Sequence, residues 1–129
     1  MSGTFDLFHI GHLNILRRAK ENCDYLIVGI HKSGARKGKE TFIPLNERKA
    51  IVSSIKYVDK VVIASKEDSA NVLKYGCKKL FVGSDYKGSE KFNRYEKQLI
   101  PKGIEIVYFP YTKMTNSTQL RKVISTERR

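Results

Sequence analysis

The chain has few cysteines and no long apolar run. Its two cysteines, Cys23 and Cys77, do not make a disulfide framework, so we expect small apolar fillers in a reducing compartment. No apolar stretch approaches the roughly 18–20 residues that a membrane span needs. Asp6, His9 and His12 interrupt the segment in which a signal peptide would carry its apolar core. The sequence therefore predicts a cytoplasmic protein without a membrane segment.

Acidic residues are also scarce relative to basic ones. There are 13 Asp and Glu against 25 Lys and Arg, which gives a formal net charge of +12. Such a balance suits nucleic acid, an anionic membrane surface or a polyphosphate substrate. The sequence has neither an aromatic-interleaved RNA motif nor zinc-finger spacing, so no specific nucleic-acid site is predicted. A basic module that binds nucleic acid nonspecifically stays open as an alternative function.

Apolar runs typical of buried strands alternate with helical patterns along the chain. The strand patterns cover 24–30, 60–64, 79–82 and 104–109. The first helical pattern begins at residue 13, and four more cover 44–55, 67–75, 89–99 and 117–125. This alternation predicts an α/β fold, a Rossmann-like open parallel sheet with helices on both faces. At 129 residues the chain is long enough for one domain and too short for two, so the prediction is a single domain over 1–129.

Two histidines stand three positions apart where the first helical pattern begins. His9 and His12 would lie at a helix N-terminus, where unpaired N–H groups and the positive dipole end favour an anion. Gly11 between them lets a ligand approach the backbone closely. A zinc site would need a third ligand at suitable spacing, which His31 does not supply, and Ile10 replaces the glutamate of the metalloprotease pattern. The spacing therefore indicates a phosphate site with two imidazole donors.

Four segments resemble one superfamily of enzymes. Residues 3–12, GTFDLFHIGH, resemble the HxGH region of the nucleotidylyltransferases, most closely the cytidylyltransferases that activate small alcohol phosphates, such as the glycerol-3-phosphate cytidylyltransferases. KYVDKV at 56–61 resembles their RYVDEV segment, GSDY at 83–86 their GDDW turn, and YTKMTNST at 111–118 their RTxGISTT segment. The resemblance covers nearly the whole chain.

That resemblance implies a function. It is the transfer of CMP from CTP to a small phosphorylated alcohol or phosphonate, with release of pyrophosphate and with Mg²⁺ bound mainly through the CTP phosphates. The family often forms homodimers and serves envelope polymer or surface glycan synthesis. Adenylyl transfer is the rival within the superfamily, because HxGH is shared across it.

The resemblance also implies roles for individual residues. The catalytic residues would be His9, His12, Lys39, Ser117 and Thr118. The nucleotide-binding residues would be Gly3, Thr4, Phe5, Gly11, Lys37, Asp85 and Asn116. The acceptor-binding residues would be Arg48, Lys56, Tyr111 and Lys113. Asp6 would lie beside the phosphates, where it could organise basic side chains or the shell of a Mg²⁺ ion.

Two of these positions depart from the family pattern. Lys56 and Tyr111 both stand where the family has arginine. Lysine keeps the charge but loses the bidentate fork that grips phosphate. A tyrosine offers an aromatic face to a cationic head group such as choline, ethanolamine or an aminophosphonate. The acceptor stays open between such compounds and a glycerol 3-phosphate-like one.

A third departure concerns the first strand. In the family a hydrophobic strand precedes the GTFD turn and lies in the middle of the sheet, whereas here only two residues precede Gly3. We therefore expect a sheet whose first central strand is largely missing, and either a natural reading frame that starts upstream of Met1 or a chain that was cut at this point.

Overall fold

The computed structural model describes residues 1–32 and 41–110. Within these ranges parallel strands alternate with helices. The elements are β1 (Ser2–Gly3), α1 (Ile10–Glu21), β2 (Ile27–Ile30), α2 (Leu45–Ser53), β3 (Lys60–Ile63), α3 (Asp68–Lys74), β4 (Lys79–Gly83), α4 (Glu90–Leu99) and β5 (Glu105–Phe109), with short 3-10 turns at Ser84–Tyr86 and Ile100–Lys102. The predicted α/β class is confirmed. The helix predicted at 117–125 lies outside the described residues.

All strand pairs of the described residues are parallel, and they form two sheets. One sheet has the order β1-β2-β3 and the other pairs β4 with β5. The first strand is as short as predicted, although the ladder extends to Met1, whose amine donates to the Ile27 carbonyl at 3.0 Å. Burial lowers the pKa of this N-terminal amine. A groove of about 780 Å³ runs past Met1 between the beginnings of β2 and β4.

Helices cover both faces of the sheets, as predicted. On one face, α1 and α2 contribute Leu16 and Val52 to a core cluster that also contains Val28 of β2. The same cluster includes Phe81 and Phe109, from β4 and β5, so the two sheets share a core. On the other face, α3 and α4 pack over β4 and β5 through a cluster that consists of Val72, Leu80, Phe92, Tyr95, Leu99 and Ile104.

One strand is shorter than its sequence pattern predicts. The apolar run at 24–30 yields only Ile27–Ile30, because Asp24 and Tyr25 are exposed and the Leu26 amide donates to the Asp59 carboxylate at 2.7 Å. This side-chain bond replaces a ladder bond at the amino end of β2. The opposite, carboxyl edge of the three-stranded sheet carries the turn that leads from β1 into α1, and ligands of parallel α/β sheets bind at that edge.

Candidate active site

The two histidines form a reciprocal cap at the N-terminus of α1. His9 is the N-cap residue, and its Nδ1 accepts a hydrogen bond from the Gly11 amide at 3.0 Å. His12, three positions later, accepts a bond from the His9 amide on its own Nδ1 at 3.2 Å. The two rings stack with centroids 3.9 Å apart. The pair thus satisfies backbone donors that would otherwise be unpaired.

These two bonds fix the tautomer of each imidazole. A nitrogen that accepts a hydrogen bond carries no proton, so the proton of each neutral ring must lie on Nε2. Both rings therefore have a donor at Nε2. The Nε2 atom of His9 is buried and has no hydrogen-bond partner among the described residues. A buried donor of this kind is costly unless a ligand accepts from it.

Both histidines are held in the neutral state. Burial and, to a smaller extent, the neighbouring His9 together lower the pKa of His12 to about 4, while Asp6 acts in the opposite direction. Burial also lowers the pKa of His9. At neutral pH the pair can therefore donate hydrogen bonds to an anion, but it brings no net charge and is poorly suited to act as an acid.

The turn before α1 has a strained backbone. Phe5 and Leu7 both have φ of 51°, in the left-handed region that non-glycine residues rarely adopt. Each such residue costs on the order of 1–3 kcal/mol, so the surrounding structure must hold it. Aromatic packing provides part of this support, since the His12 ring lies edge-on against Phe5, with centroids 5.4 Å apart, and beside Phe8, with centroids 5.2 Å apart. A Cβ on Gly3 would come within 3.0 Å of the Phe5 ring, so the residue before the turn must be small.

Asp6 lies at the centre of this turn and is only 2% exposed. Its two carboxylate oxygens accept hydrogen bonds from the amides of Phe42 and Ile43, each at 2.9 Å. The described residues contain no group of three His, Cys, Asp or Glu side chains that could hold a metal ion. The expected role of Asp6 in the shell of a Mg²⁺ ion stays a prediction, since each oxygen that accepts one backbone bond keeps a further lone pair. Its observed role is to attach the turn to the segment before α2.

Arg48 also differs from its expected role as an acceptor-binding residue. It is 1% exposed, and its guanidinium donates to four backbone carbonyls. The acceptors are the carbonyl oxygens of Thr4, His31, Lys32 and Ile43, at 2.7–2.8 Å. These bonds direct the charged group into the protein and away from a ligand in solvent. We therefore correct the sequence-based assignment of Arg48 from substrate contact to internal support.

Lys56 lies far from the histidine pair within one chain. It follows α2 and precedes β3, so it belongs to the amino edge of the sheet, where Asp59 bonds to Lys20 and to the Leu26 amide. The nine residues of α2 alone span about 13 Å between the two edges. Lys56 is exposed, with its ammonium 5.2 Å from the Tyr57 ring centroid. The structure thus does not bring Lys56 together with His9 and His12.

Asp85 occupies the short turn after β4. A Cβ on Gly83 would lie 2.8 Å from the Asp85 Oδ1, so a larger residue at this position would displace the carboxylate from the end of the strand. The other predicted site residues, Lys37, Lys39, Tyr111, Lys113, Asn116, Ser117 and Thr118, lie outside the described residues.

The buried roles of Asp6 and Arg48 are the functional features that sequence reasoning missed. One signal existed for Arg48. It stands four positions before Val52, which is fully buried, so a helix brings both side chains to the same inward face. No sequence signal identified the amides that Asp6 accepts from, because 36 residues separate Asp6 from Phe42.

A parallel α/β sheet with a histidine-capped helix at its carboxyl edge is the architecture of a nucleotidyltransferase domain. Comparison with known proteins agrees. A model of the cytidylyltransferase-like family matches residues 1–128. The chain therefore belongs to the cytidylyltransferase-like family and is a nucleotidyltransferase.

Similar proteins include a bacterial and a plant enzyme. Glycerol-3-phosphate cytidylyltransferase of Bacillus subtilis is 32% identical over 127 residues, which cover 95% of this chain and 93% of that protein. Ethanolamine-phosphate cytidylyltransferase of Arabidopsis thaliana is 34% identical over 134 residues, which cover 97% of this chain and 32% of that protein. Among solved structures, the lipopolysaccharide core biosynthesis protein from Thermoplasma volcanium has a TM-score of 0.70 and 26% identity, covering 88% of this chain and 94% of that one.

The helices in the described part of the chain are all too short or too polar to cross a membrane.

Proposed function

We propose that this protein is a CTP-dependent cytidylyltransferase that transfers CMP to a small alcohol phosphate. In this reaction a phosphate oxygen of the acceptor bonds to the α-phosphorus of CTP, and the bond from that phosphorus to the bridging oxygen breaks. Pyrophosphate leaves with the electron pair. The names of the two relatives above support this acceptor class, because glycerol 3-phosphate and ethanolamine phosphate are both small alcohol phosphates.

The buried Nε2 of His9, which has no hydrogen-bond partner within residues 1–32 and 41–110, is the observation that carries the proposal. A neutral N–H donor fixed at a helix N-terminus suits a phosphate oxygen. Its hydrogen bond stabilises that oxygen more strongly as negative charge develops in the transition state. His12 also carries its proton on Nε2, and the family resemblance assigns it to the same phosphates. No general base is required, since the acceptor phosphate is already ionised at neutral pH.

The remaining roles are proposed from the family resemblance. Gly3, Thr4, Phe5, Gly11, Lys37, Asp85 and Asn116 would bind the nucleotide. Lys39, Ser117 and Thr118 would join the histidines in stabilising charge on the transferring phosphate. Tyr111 and Lys113 would contact the acceptor. Mg²⁺ would enter with CTP, since the CTP phosphates supply its ligands.

We also propose four further features, the single domain and the cytoplasm from the length and composition of the sequence, and the other two from the family resemblance. The chain would form a single domain over 1–129, act as a homodimer in the cytoplasm, and supply an activated alcohol for an envelope polymer or surface glycan. Sedimentation of the purified protein tests the dimer directly.

Pyrophosphate release tests the proposed function. The assay pairs CTP, or ATP as the rival donor, with glycerol 3-phosphate, choline phosphate, ethanolamine phosphate and an aminophosphonate. We expect release with CTP and one of these acceptors. Release with ATP alone would favour the adenylyl alternative. If no pair of donor and acceptor releases pyrophosphate and the protein binds nucleic acid in a salt-sensitive way, the basic nucleic-acid-binding alternative is favoured.

A further inference from the structure

The two most buried charged side chains of the described residues hold the histidine turn in place. Arg48 and Asp6 are 1% and 2% exposed. Burying a charge is expensive unless hydrogen bonds satisfy it, and both groups are satisfied by the backbone. Neither group presents its charge to solvent, so their placement calls for an explanation other than a surface contact.

The bonds of Arg48 join three separate parts of the chain. One Nη atom donates both to the Thr4 carbonyl, in the turn that leads to the histidines, and to the His31 carbonyl, at the end of β2. The other Nη atom donates to Lys32, and Nε donates to Ile43, just before α2. A planar guanidinium can serve these acceptors together because its donors diverge in one plane.

Asp6 joins two of the same parts of the chain, the turn that leads to the histidines and the segment just before α2. Its carboxylate spans the amides of Phe42 and Ile43, while its own backbone lies between Phe5 and Leu7, the two residues with φ of 51°. Strained backbone persists only where its surroundings determine it. The carboxylate therefore holds the turn at the point where its backbone is least favourable.

We propose that Arg48 and Asp6 are positioning residues for the reaction. They hold the turn that carries His9 and His12 against the end of β2 and the start of α2, so that the two Nε2–H donors face the transferring phosphate. This assignment rests on the proposed function. Neither side chain touches substrate.

The proposal predicts that small displacements of the turn reduce turnover more than they reduce folding. A lysine at position 48 has a compact ammonium on a flexible stem and cannot reproduce four bonds in one plane. The Thr4 carbonyl would lose its fixed distance from β2, and the histidine donors would shift. Misplacement by about 1 Å can lower a rate about 100-fold.

The test compares Arg48→Lys with Val52→Ala, a control on the same helix. Val52 is fully buried one turn further along, and its apolar side chain cannot donate a hydrogen bond to these carbonyls. Both variants should lose thermal stability. At a temperature well below either melting point, we expect kcat to fall about 100-fold for Arg48→Lys and to stay close to wild type for Val52→Ala. Equal kcat in the two variants would overturn the proposal.

Asp6→Asn provides a second variant, which decides the matter if Arg48→Lys fails to fold. Its amide nitrogen would face a backbone N–H donor, so one of the two bonds to Phe42 and Ile43 must break. We expect faster hydrogen exchange at those two amides, shifted NMR signals of the His9 and His12 rings, and reduced kcat. Unchanged exchange and unchanged ring signals would refute the positioning role.

The two proposals fail in distinguishable ways. A wild-type protein that is inactive with every donor and acceptor would contradict the proposed function. The amide exchange and the histidine ring signals require no turnover, so they would still test whether Asp6 and Arg48 position the turn.

Discussion

Replacing His9 with asparagine separates the capping role of this residue from its proposed catalytic role. The imidazole does two things: Nδ1 caps α1 by accepting from the Gly11 amide, and Nε2 is the buried donor without a partner among the described residues. The side-chain oxygen of asparagine reaches about as far as Nδ1, and asparagine is among the best N-cap residues. His9→Asn therefore keeps the cap and deletes the donor.

The two roles of His9 lead to different expected losses, one in kcat and one in stability. Removing one donor that stabilises charge in a transition state costs about 100- to 1000-fold in kcat, or about 2.7–4 kcal/mol. The stability change should be no more than a few tenths of a kcal/mol, because one good cap replaces another. His9→Ala is the comparison variant, since it loses both functions and should also destabilise the protein by about 0.5–2 kcal/mol.

The assay is steady-state pyrophosphate release, run beside thermal unfolding for wild type, His9→Asn and His9→Ala. We expect low kcat in both variants and a lowered melting temperature only in His9→Ala. If His9→Asn keeps the wild-type kcat, the Nε2 donor is not used in the reaction, and the histidine is only a helix cap.

Three further predictions follow from the described residues. The pKa of His12 is lowered to about 4 from its ordinary value of 6.5, so as pH falls the unfolded chain binds this proton before the folded protein does. The free energy of unfolding should be fully retained above pH 6.5 and should drop by roughly 3 kcal/mol towards pH 4, which denaturant titrations of wild type against His12→Gln would measure. Gly83→Ala should displace the Asp85 carboxylate, since the new Cβ would lie 2.8 Å from it, and should raise KM for CTP; an unchanged KM would separate Asp85 from nucleotide binding. Lys56→Ala should leave the kcat of a protomer unaffected, because the residue lies at the amino edge of the sheet; a large loss in a sample shown to be monomeric would contradict that placement.

Local patterns in the sequence predicted much of the fold. The helix predicted at 89–99 is observed as Glu90–Leu99, with Ser89 as its cap, because a capping hydroxyl and the spacing of buried Phe92, Tyr95 and Leu99 are both local signals. The strand predicted at 24–30 was too long for a tertiary reason. The Asp59 carboxylate takes the Leu26 amide from 33 residues away, and no local pattern reports such a bond.

The candidate site shows the same division. The histidine pair and its position at a helix N-terminus could be predicted, because HxGH spacing and the start of an apolar periodicity are close in sequence. The roles of Asp6 and Arg48 could not, since their partners come from distant segments and their charges resemble those of ligand-binding residues. Charge type alone does not distinguish a group that binds substrate from one that binds the backbone.

Phosphorus NMR of the reaction mixture shows directly whether the protein transfers CMP from CTP to a small alcohol phosphate. The protein is incubated with CTP, Mg²⁺ and each small alcohol phosphate, and the spectrum is followed with time. We expect one acceptor's monophosphate signal to decline while the paired signals of a diphosphate diester and the signal of free pyrophosphate grow, with the two products formed in equal amounts. Signals of CTP and acceptor that persist unchanged for every acceptor, with a protein shown to be folded, would contradict this expectation.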